Sequence, residues 1–228
     1  MINFIKIDNK VLDMSDENIL VFCAHSDDHI LGPGGTLAKY AKEGKKVYTY
    51  IFSYGETSHI HMKREVIIKI RVSEAKKADE EIGGAGVCFF GLSEGKFDED
   101  AERLHIKKRI GEIIREKNPT KIFTHNADDP HIDHRSTNKI VLDEFDEMKC
   151  HADVYAFDIW SPLTLAYRRN PQLIVDIKKT FNLKLKSFSH FKSQKLTSLT
   201  LLWSVYAKAI KNGFLHGYRF AEVFYKIR

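Results

Sequence analysis

In the first two thirds of the chain, short continuous apolar runs alternate with segments in which apolar residues recur about every 3.6 positions. Short runs of apolar, β-branched and aromatic residues predict buried strands at positions 19–24, 47–52, 87–90, 121–125 and 154–157. Segments with apolar residues near a 3.6-residue spacing predict helices between them, at positions 35–43, 65–82, 101–117 and 134–145. The helix at 101–117 is expected to end at Asn118-Pro119, because proline disfavours helical geometry in the residue before it.

Strands and helices in this order predict an α/β fold. Parallel strands joined by helical crossovers form a Rossmann-like, mostly parallel sheet with helices on both faces. After Ser161-Pro162 the pattern changes to helices and a final aromatic segment that ends at Phe224-Tyr225. No repeat or linker divides the sequence, so residues 1–228 are predicted to form one domain.

Composition narrows the class of protein. The chain has 228 residues, of which 43% are hydrophobic, enough for one sizeable core. Three widely spaced cysteines, Cys23, Cys88 and Cys150, indicate a reducing compartment rather than a disulfide framework. We find neither a signal-peptide pattern nor an apolar run of the ~18 residues that a membrane span needs. These features predict a cytoplasmic protein without a transmembrane segment.

The net charge of +5 is unevenly distributed. Residues 178–228 contain eleven Lys/Arg and a single acidic residue, Glu222, whereas residues 1–177 contain 25 basic and 30 acidic residues. The basic region is either a solvated surface or a contact for an anionic substrate or surface. No nucleic-acid recognition motif is present, so nucleic acid is not an expected partner, and a homo-oligomer is compatible with the sequence.

Two clusters of histidine and aspartate directly follow predicted strands. Residues 24–29 read Ala-His-Ser-Asp-Asp-His after the first strand, and residues 129–134 read Asp-Pro-His-Ile-Asp-His after the strand at 121–125. The carboxyl ends of parallel strands form one edge of a sheet, where α/β proteins build their sites. His25 and Asp28 can reach a common point, and the cluster of His131 and His134 supplies the third ligand of a catalytic zinc.

The remaining residues of the two clusters suit hydrolytic chemistry. Asp27, next to the ligands, is placed as a general base, and a second histidine could stabilise an oxyanion while Asp133 orients it. The alternative is that the clusters are ordinary helix N-caps, but two clusters at strand ends favour a metal site. The glycines of Gly32-Pro33-Gly34-Gly35 lack the G-x-G-x-x-G spacing, so a dinucleotide cofactor is not favoured.

This pattern resembles the GlcNAc-PI de-N-acetylase (PIG-L/LmbE-like) family. The family has Ala/Pro-His-Pro-Asp-Asp-Glu after the first strand and His-x-Asp-His later in the chain. Further similar segments are spread along most of this sequence, namely residues 31–37 (Leu-Gly-Pro-Gly-Gly-Thr-Leu), 53–56 (Ser-Tyr-Gly-Glu), 71–74 (Arg-Val-Ser-Glu), 190–194 (His-Phe-Lys-Ser-Gln) and 217–224.

The resemblance implies a role for each matching residue. One zinc ion per chain would be bound by His25, Asp28 and His134, although Fe(II), Co(II) or Mn(II) also accept such ligands. The implied catalytic and substrate-binding residues are the general base Asp27, the oxyanion-stabilising His131, its partner Asp133 and the substrate-contacting Arg71.

The implied reaction is hydrolysis of the N-acetyl group of an N-acetylglucosamine-type sugar or conjugate. The alternatives are a metal-dependent amidase acting on a non-sugar acyl amide, and an inactive zinc-containing relative that binds a glycan. Two positions depart from the family pattern, since Ser26 replaces proline and His29 replaces glutamate. Three further histidines, His59, His61 and His125, have no motif support and are interpreted as surface or structural residues.

Overall fold

The computed structural model describes residues 17–56, 63–159 and 170–228. His59 and His61 lie outside these ranges. The strands are β1 (Asn18–Cys23), β2 (Lys46–Ser53), β3 (Gly86–Leu92), β4 (Lys121–His125), β5 (Asp153–Phe157), β6 (Gln172–Asp176) and β7 (Ala221–Lys226). The helices are α1 (Asp28–Leu31), α2 (Gly34–Lys42), α3 (Arg64–Ile82), α4 (Phe97–Arg103), α5 (Ile106–Lys117), α6 (Ile132–Met148), α7 (Phe181–Phe188) and α8 (Lys195–Leu215), with a 3-10 turn at Lys192–Gln194.

All these strands belong to one sheet in the order β3-β2-β1-β4-β5-β7-β6. Neighbours among β1 to β5 pair in parallel, whereas β7 is antiparallel to both β5 and β6. Alternate residues of β1 enter two separate cores, Ile19 and Val21 on one face and Leu20 and Phe22 on the other. Helices α2, α3, α7 and α8 cover the first face and α4, α5 and α6 the second, which confirms the predicted α/β fold.

Two parts of the element prediction were wrong. The helix expected at 101–117 is two helices, because the chain turns at Leu104-His105, where His105 has a left-handed φ of 53°. Strand β6 lies in the region read as helices, since its few apolar residues gave no clear period of two. Among the described residues, no helix has the length and apolar composition that crossing a membrane requires.

Candidate metal centre and active site

The two His/Asp clusters meet at one edge of the sheet. Strands β1 and β4 are parallel neighbours, with Ile19 beside Lys121 and Val21 beside Phe123. Both strands therefore end at the same edge of the sheet, where β1 continues into the turn before α1 and β4 continues into the loop before α6. This register brings residues 25–28 against residues 125–134.

Three donor atoms converge as a zinc site requires. Asp28 Oδ2 lies 3.5 Å from His25 Nδ1 and 3.6 Å from His134 Nε2, and the two nitrogens are 3.3 Å apart. In a tetrahedron with metal–ligand bonds of ~2.0–2.1 Å, neighbouring ligand atoms lie ~3.3–3.4 Å apart. The separations match this value closely, and the three residues form one of the clusters able to hold an ion. The residues present thus fit the metal that the sequence resemblance implies.

Asp129 holds His134 in the orientation that this geometry needs. Its Oδ1 lies 3.0 Å from His134 Nδ1 and also accepts the backbone N–H of His131 at 2.9 Å. A carboxylate on the outer nitrogen of a histidine favours a proton there, which leaves Nε2 with its lone pair toward the ligand cluster. The sequence interpretation gave Asp129 no role, although it begins the second cluster.

His125 is the second site residue that sequence reasoning missed. It is fully buried at the end of β4, where its Nε2 is 3.0 Å from the backbone nitrogen of Ala24 and 3.1 Å from Asp28 Oδ2. Its ring stacks on that of His134, with centroids 3.9 Å apart. Burial, together with the neighbouring His134, lowers the pKa of His125 to about 4, so the His125 ring is neutral. The sequence did contain a signal for this role, because His125 ends a predicted buried strand that leads into the second cluster.

The two neighbouring carboxyl groups have opposite electrostatic environments. Burial raises the pKa of Asp27, and the adjacent Asp28 carboxylate raises it further, while Arg71 opposes them. Burial also acts to raise the pKa of Asp28, but His134 and His125 outweigh it and hold this pKa well below the ordinary range. Environments that separate two carboxyl groups in this way are typical of acid–base sites.

Asp133 contacts a different histidine from the one expected. Its Oδ2 lies 3.3 Å from His25 Nε2 but 4.0 Å from His131 Nδ1, and its Oδ1 accepts the backbone N–H of Gly95 at 2.8 Å. His131 is the N-cap of α6, and its Nδ1 accepts the backbone N–H of Asp133 at 3.2 Å. A neutral His131 in this arrangement carries its proton on Nε2. The backbone of Asp133, rather than its carboxylate, therefore sets the tautomer of His131.

Arg71 and the two departures from the family pattern are all buried. Arg71 is 3% exposed and donates to Ser26 Oγ and to the carbonyl oxygen of Gly55. Its contact with a substrate stays a prediction. His29 is fully buried edge-on to Phe191, and burial lowers its pKa to about 4. A neutral ring therefore stands where the family pattern carries a glutamate.

An α/β fold, in which the described residues form a seven-stranded sheet with a His/Asp cluster at its strand ends, defines the general class of this protein. The particular family follows from its sequence profile. The chain belongs to the GlcNAc-PI de-N-acetylase (PIG-L) family, whose profile matches residues 20–145.

Curated relatives include deacetylases and a hydratase. Diacetylchitobiose deacetylase of Thermococcus kodakarensis is 24% identical over 235 residues, covering 95% of this chain and 86% of that protein. 4-Oxalmesaconate hydratase of Pseudomonas putida is 27% identical over 127 residues, or 53% of this chain and 48% of the hydratase. The deacetylase of Rhodococcus opacus acting on 1D-myo-inositol 2-acetamido-2-deoxy-alpha-D-glucopyranoside is 26% identical over 56% of this chain and 53% of its own length. The match thus spans about half the length of the latter two.

Solved structures share the whole fold. The 4-carboxy-2-hydroxymuconate hydratase GalB of Pseudomonas putida KT2440 superimposes with a TM-score of 0.78 at 21% identity, over 93% of this chain and 96% of its own. The N,N'-diacetylchitobiose deacetylase of Pyrococcus horikoshii gives a TM-score of 0.74 at 21% identity, over 91% and 82% of the two chains. One fold thus serves proteins named for two reactions, so the site must decide between them.

Proposed function

We propose that this protein is a zinc-dependent N-deacetylase that hydrolyses the acetamide of an N-acetylglucosamine-type sugar or conjugate. The observation that carries the proposal is the convergence of three donor atoms next to the buried carboxyl group of Asp27, which is not one of the three. Family membership and the diacetylchitobiose deacetylase of Thermococcus, which matches 95% of the chain, support the same reaction. An active enzyme is favoured over a binding relative because binding alone needs neither Asp27 nor His131.

One zinc ion would be held by His25, Asp28 and His134. When bound there, it would polarise the acetamide carbonyl and make a water molecule acidic enough to attack near neutral pH. The protein's own part is to fix the donors. Asp129 orients His134, and we assign the same task to Asp133 at His25, since their contact distances are 3.0 and 3.3 Å.

Asp27 is proposed as the general base. It is 7% exposed, and its carboxyl group interacts electrostatically with both Asp28 and His25, so it lies close enough to the proposed ligands to take a proton from the attacking water. Its raised pKa increases its strength as a base relative to an ordinary surface aspartate.

We propose that His131 stabilises the oxyanion that develops on the acetamide. Its side chain is 36% exposed, and its ring centroid lies 4.9 Å from that of His25 and 4.8 Å from that of His134. With Nδ1 occupied by the backbone N–H of Asp133, the Nε2 N–H can donate a hydrogen bond to the developing oxyanion, while the leaving amine receives the proton that Asp27 has taken from water.

The second candidate function is hydration of a carbon–carbon double bond in an unsaturated carboxylate. The hydratase similarities in sequence and in structure favour it. A base that takes a proton from water serves hydration as well as amide hydrolysis, so Asp27 suits both. An amidase acting on a non-sugar acyl amide remains the third candidate.

A three-substrate assay separates these reactions. Zinc-loaded protein is incubated with diacetylchitobiose, with a simple N-acetyl alkyl amine and with 4-carboxy-2-hydroxymuconate, and we measure amine release or loss of diene absorbance. We expect amine release from the sugar alone, and the Asp27→Asn variant is the control for contaminating activity. Turnover of the muconate without amine release would replace deacetylation by hydration.

The sugar is proposed to be anionic, and the reaction to take place in the cytoplasm. Residues 178–228 supply a basic region, and Cys23, Cys88 and Cys150 are all unpaired, as a reducing compartment favours. A homo-oligomer is compatible with this proposal.

A further inference from the structure

A second polar network contacts the proposed base from the side of α3 and the 3-10 turn Lys192–Gln194. The side-chain amide of Gln194, oriented as its neighbours require, donates to Asp27 Oδ2 at 2.6 Å. The amide oxygen then accepts from Arg71, at 2.8 Å for Nη1. Gln194 thus links Asp27 to the guanidinium of α3, although 167 positions separate Gln194 from Asp27 in the sequence.

Arg71 is held in place independently of Gln194. Its Nε and Nη2 donate to Ser26 Oγ at 3.2 and 3.0 Å, and its Nη1 donates to the carbonyl oxygen of Gly55 at 3.2 Å. Gly55 has φ of +71°, and a Cβ there would overlap the guanidinium, so glycine permits this approach. Ser26, fully buried where the family pattern has proline, provides an acceptor that a proline side chain lacks.

Glu74 fixes the turn that carries Gln194. One helical turn after Arg71, its Oε1 accepts the backbone N–H of Ser193 at 2.8 Å and its Oε2 accepts the Ser193 hydroxyl at 2.6 Å. The same face of α3 therefore holds the backbone of the turn through Glu74 and the side chain of Gln194 through Arg71.

We propose that Gln194 is a positioning residue for Asp27, anchored by Arg71 and Glu74 and, through Arg71, by Ser26. The amide occupies one carboxylate oxygen and leaves the other to receive the proton of the attacking water. This assignment rests on the proposed function and extends it, since it gives Arg71 a task inside the protein in addition to, or in place of, contact with substrate. A reacting group displaced by about 1 Å can lose ~10²-fold in rate.

The test compares the same substitution at two glutamines. Gln194→Met keeps the length of the side chain but removes the amide, while Gln172→Met makes the same change at an exposed glutamine of β6 as the matched control. For both zinc-loaded variants we measure kcat, KM and zinc per chain on the best acetylated sugar. We expect kcat of Gln194→Met to fall ~10- to 100-fold with KM and zinc unchanged, and Gln172→Met to match the wild type.

Ser26 provides the second test. Ser26→Ala removes the acceptor for two Arg71 bonds, so kcat should fall again with KM unchanged, whereas Ser26→Thr keeps a hydroxyl and should recover much of the rate. If Gln194→Met does not fold, Ser193→Ala, which removes one of the two bonds to Glu74, takes its place. A kcat within twofold of wild type in Gln194→Met or its replacement, or loss of zinc instead of turnover, overturns the proposal.

Failure of the proposed function gives a different result. Wild-type protein that releases no amine from any acetylated sugar removes the deacetylase assignment, whatever the variants do. Crystal structures of the zinc-loaded wild type and Gln194→Met then test the positioning alone. An Asp27 carboxylate that keeps the same orientation in both would contradict it.

Discussion

Two of the clusters of buried charge in the described part of the chain differ in how fully their atoms are paired. Around Glu222, Oε1 accepts from the backbone of Gly35 and from Lys184, and Oε2 accepts from the backbone and hydroxyl of Thr36. Lys184 Nζ also donates to the carbonyl oxygens of Leu31 and Gly32, so its three protons are all used.

The cluster at the strand ends has the opposite character. Asp28 Oδ2 accepts the backbone N–H of His25 at 2.7 Å, but its contacts with His25 Nδ1 and His134 Nε2 are longer, at 3.5 and 3.6 Å, a spacing that suits a shared cation better than mutual hydrogen bonds. In the network around Glu222, which joins α2, α7 and β7, every donor and acceptor has a partner, and we interpret this network as structural. The converging donor atoms at the strand ends are instead what a metal site needs. Lys184 lies within the basic region 178–228, but it is 4% exposed and therefore cannot contribute to a surface that binds anions.

The largest effect is expected in the cluster of His25, Asp28 and His134 at the strand ends. His134→Ala removes one of three donors, so we expect most of the zinc and essentially all of the hydrolysis to be lost. Elemental analysis and amine release measure the two quantities. His151→Ala, at an exposed histidine outside the site, is the control. Full zinc occupancy in His134→Ala would exclude this residue as a ligand.

Asp27→Asn should separate chemistry from metal binding. The amide has nearly the shape of the carboxylate but cannot take a proton, so hydrolysis should fall ~10²- to 10⁴-fold while zinc is retained. Asp128→Asn, at an exposed aspartate, should keep wild-type turnover. Near-native kcat in the Asp27→Asn enzyme would assign the base to another residue.

A change in the cluster around Glu222 should lower the free energy of unfolding and leave zinc binding unchanged. Lys184→Met leaves Glu222 buried without its cation, and breaking such a pair costs about 3–5 kcal/mol. Urea unfolding of the zinc-loaded protein measures this loss. The double variant Lys184→Met/Glu222→Gln removes both charges and should recover part of it. A loss of zinc in Lys184→Met that exceeds the loss of folded protein would show that the two clusters are coupled.

Asp129→Asn should have a smaller effect on zinc than His134→Ala. It weakens the contact that orients His134 without removing a donor, and such outer partners are worth ~10- to 100-fold in metal affinity. Competition with a chelator of known affinity measures the change. An affinity equal to that of the wild type would leave Asp129 as a support for the backbone of His131 alone.

The smallest expected effect concerns the basic region. If the sugar is anionic, KM should rise with salt, because the Debye length shortens from ~10 Å at 0.1 M to ~3 Å at 1 M. Neutralising the exposed Lys186 and Lys192 should reduce that rise. KM that is independent of salt, or a neutral sugar as best substrate, would leave these lysines as solubilising surface.

The sequence by itself determined the α/β fold and the approximate position of the site. Apolar runs and helical spacing are local patterns, and both clusters are short segments that directly follow β1 and β4. Because parallel strands end at a common edge, their proximity followed from the fold class. Local patterns were weaker where tertiary pairing decides the structure, as in β6, which is held by antiparallel pairing to β7.

Only the tertiary structure decided which side chains pair. His125 on Asp28, Asp133 on His25, Gln194 on Asp27 and Lys184 on Glu222 join segments 38 to 167 positions apart. Such pairs depend on strand register and helix packing, which set positions to within an ångström and leave no periodic signal. A lysine in a basic run and a glutamine after α7 look like surface residues until the packing around them is known.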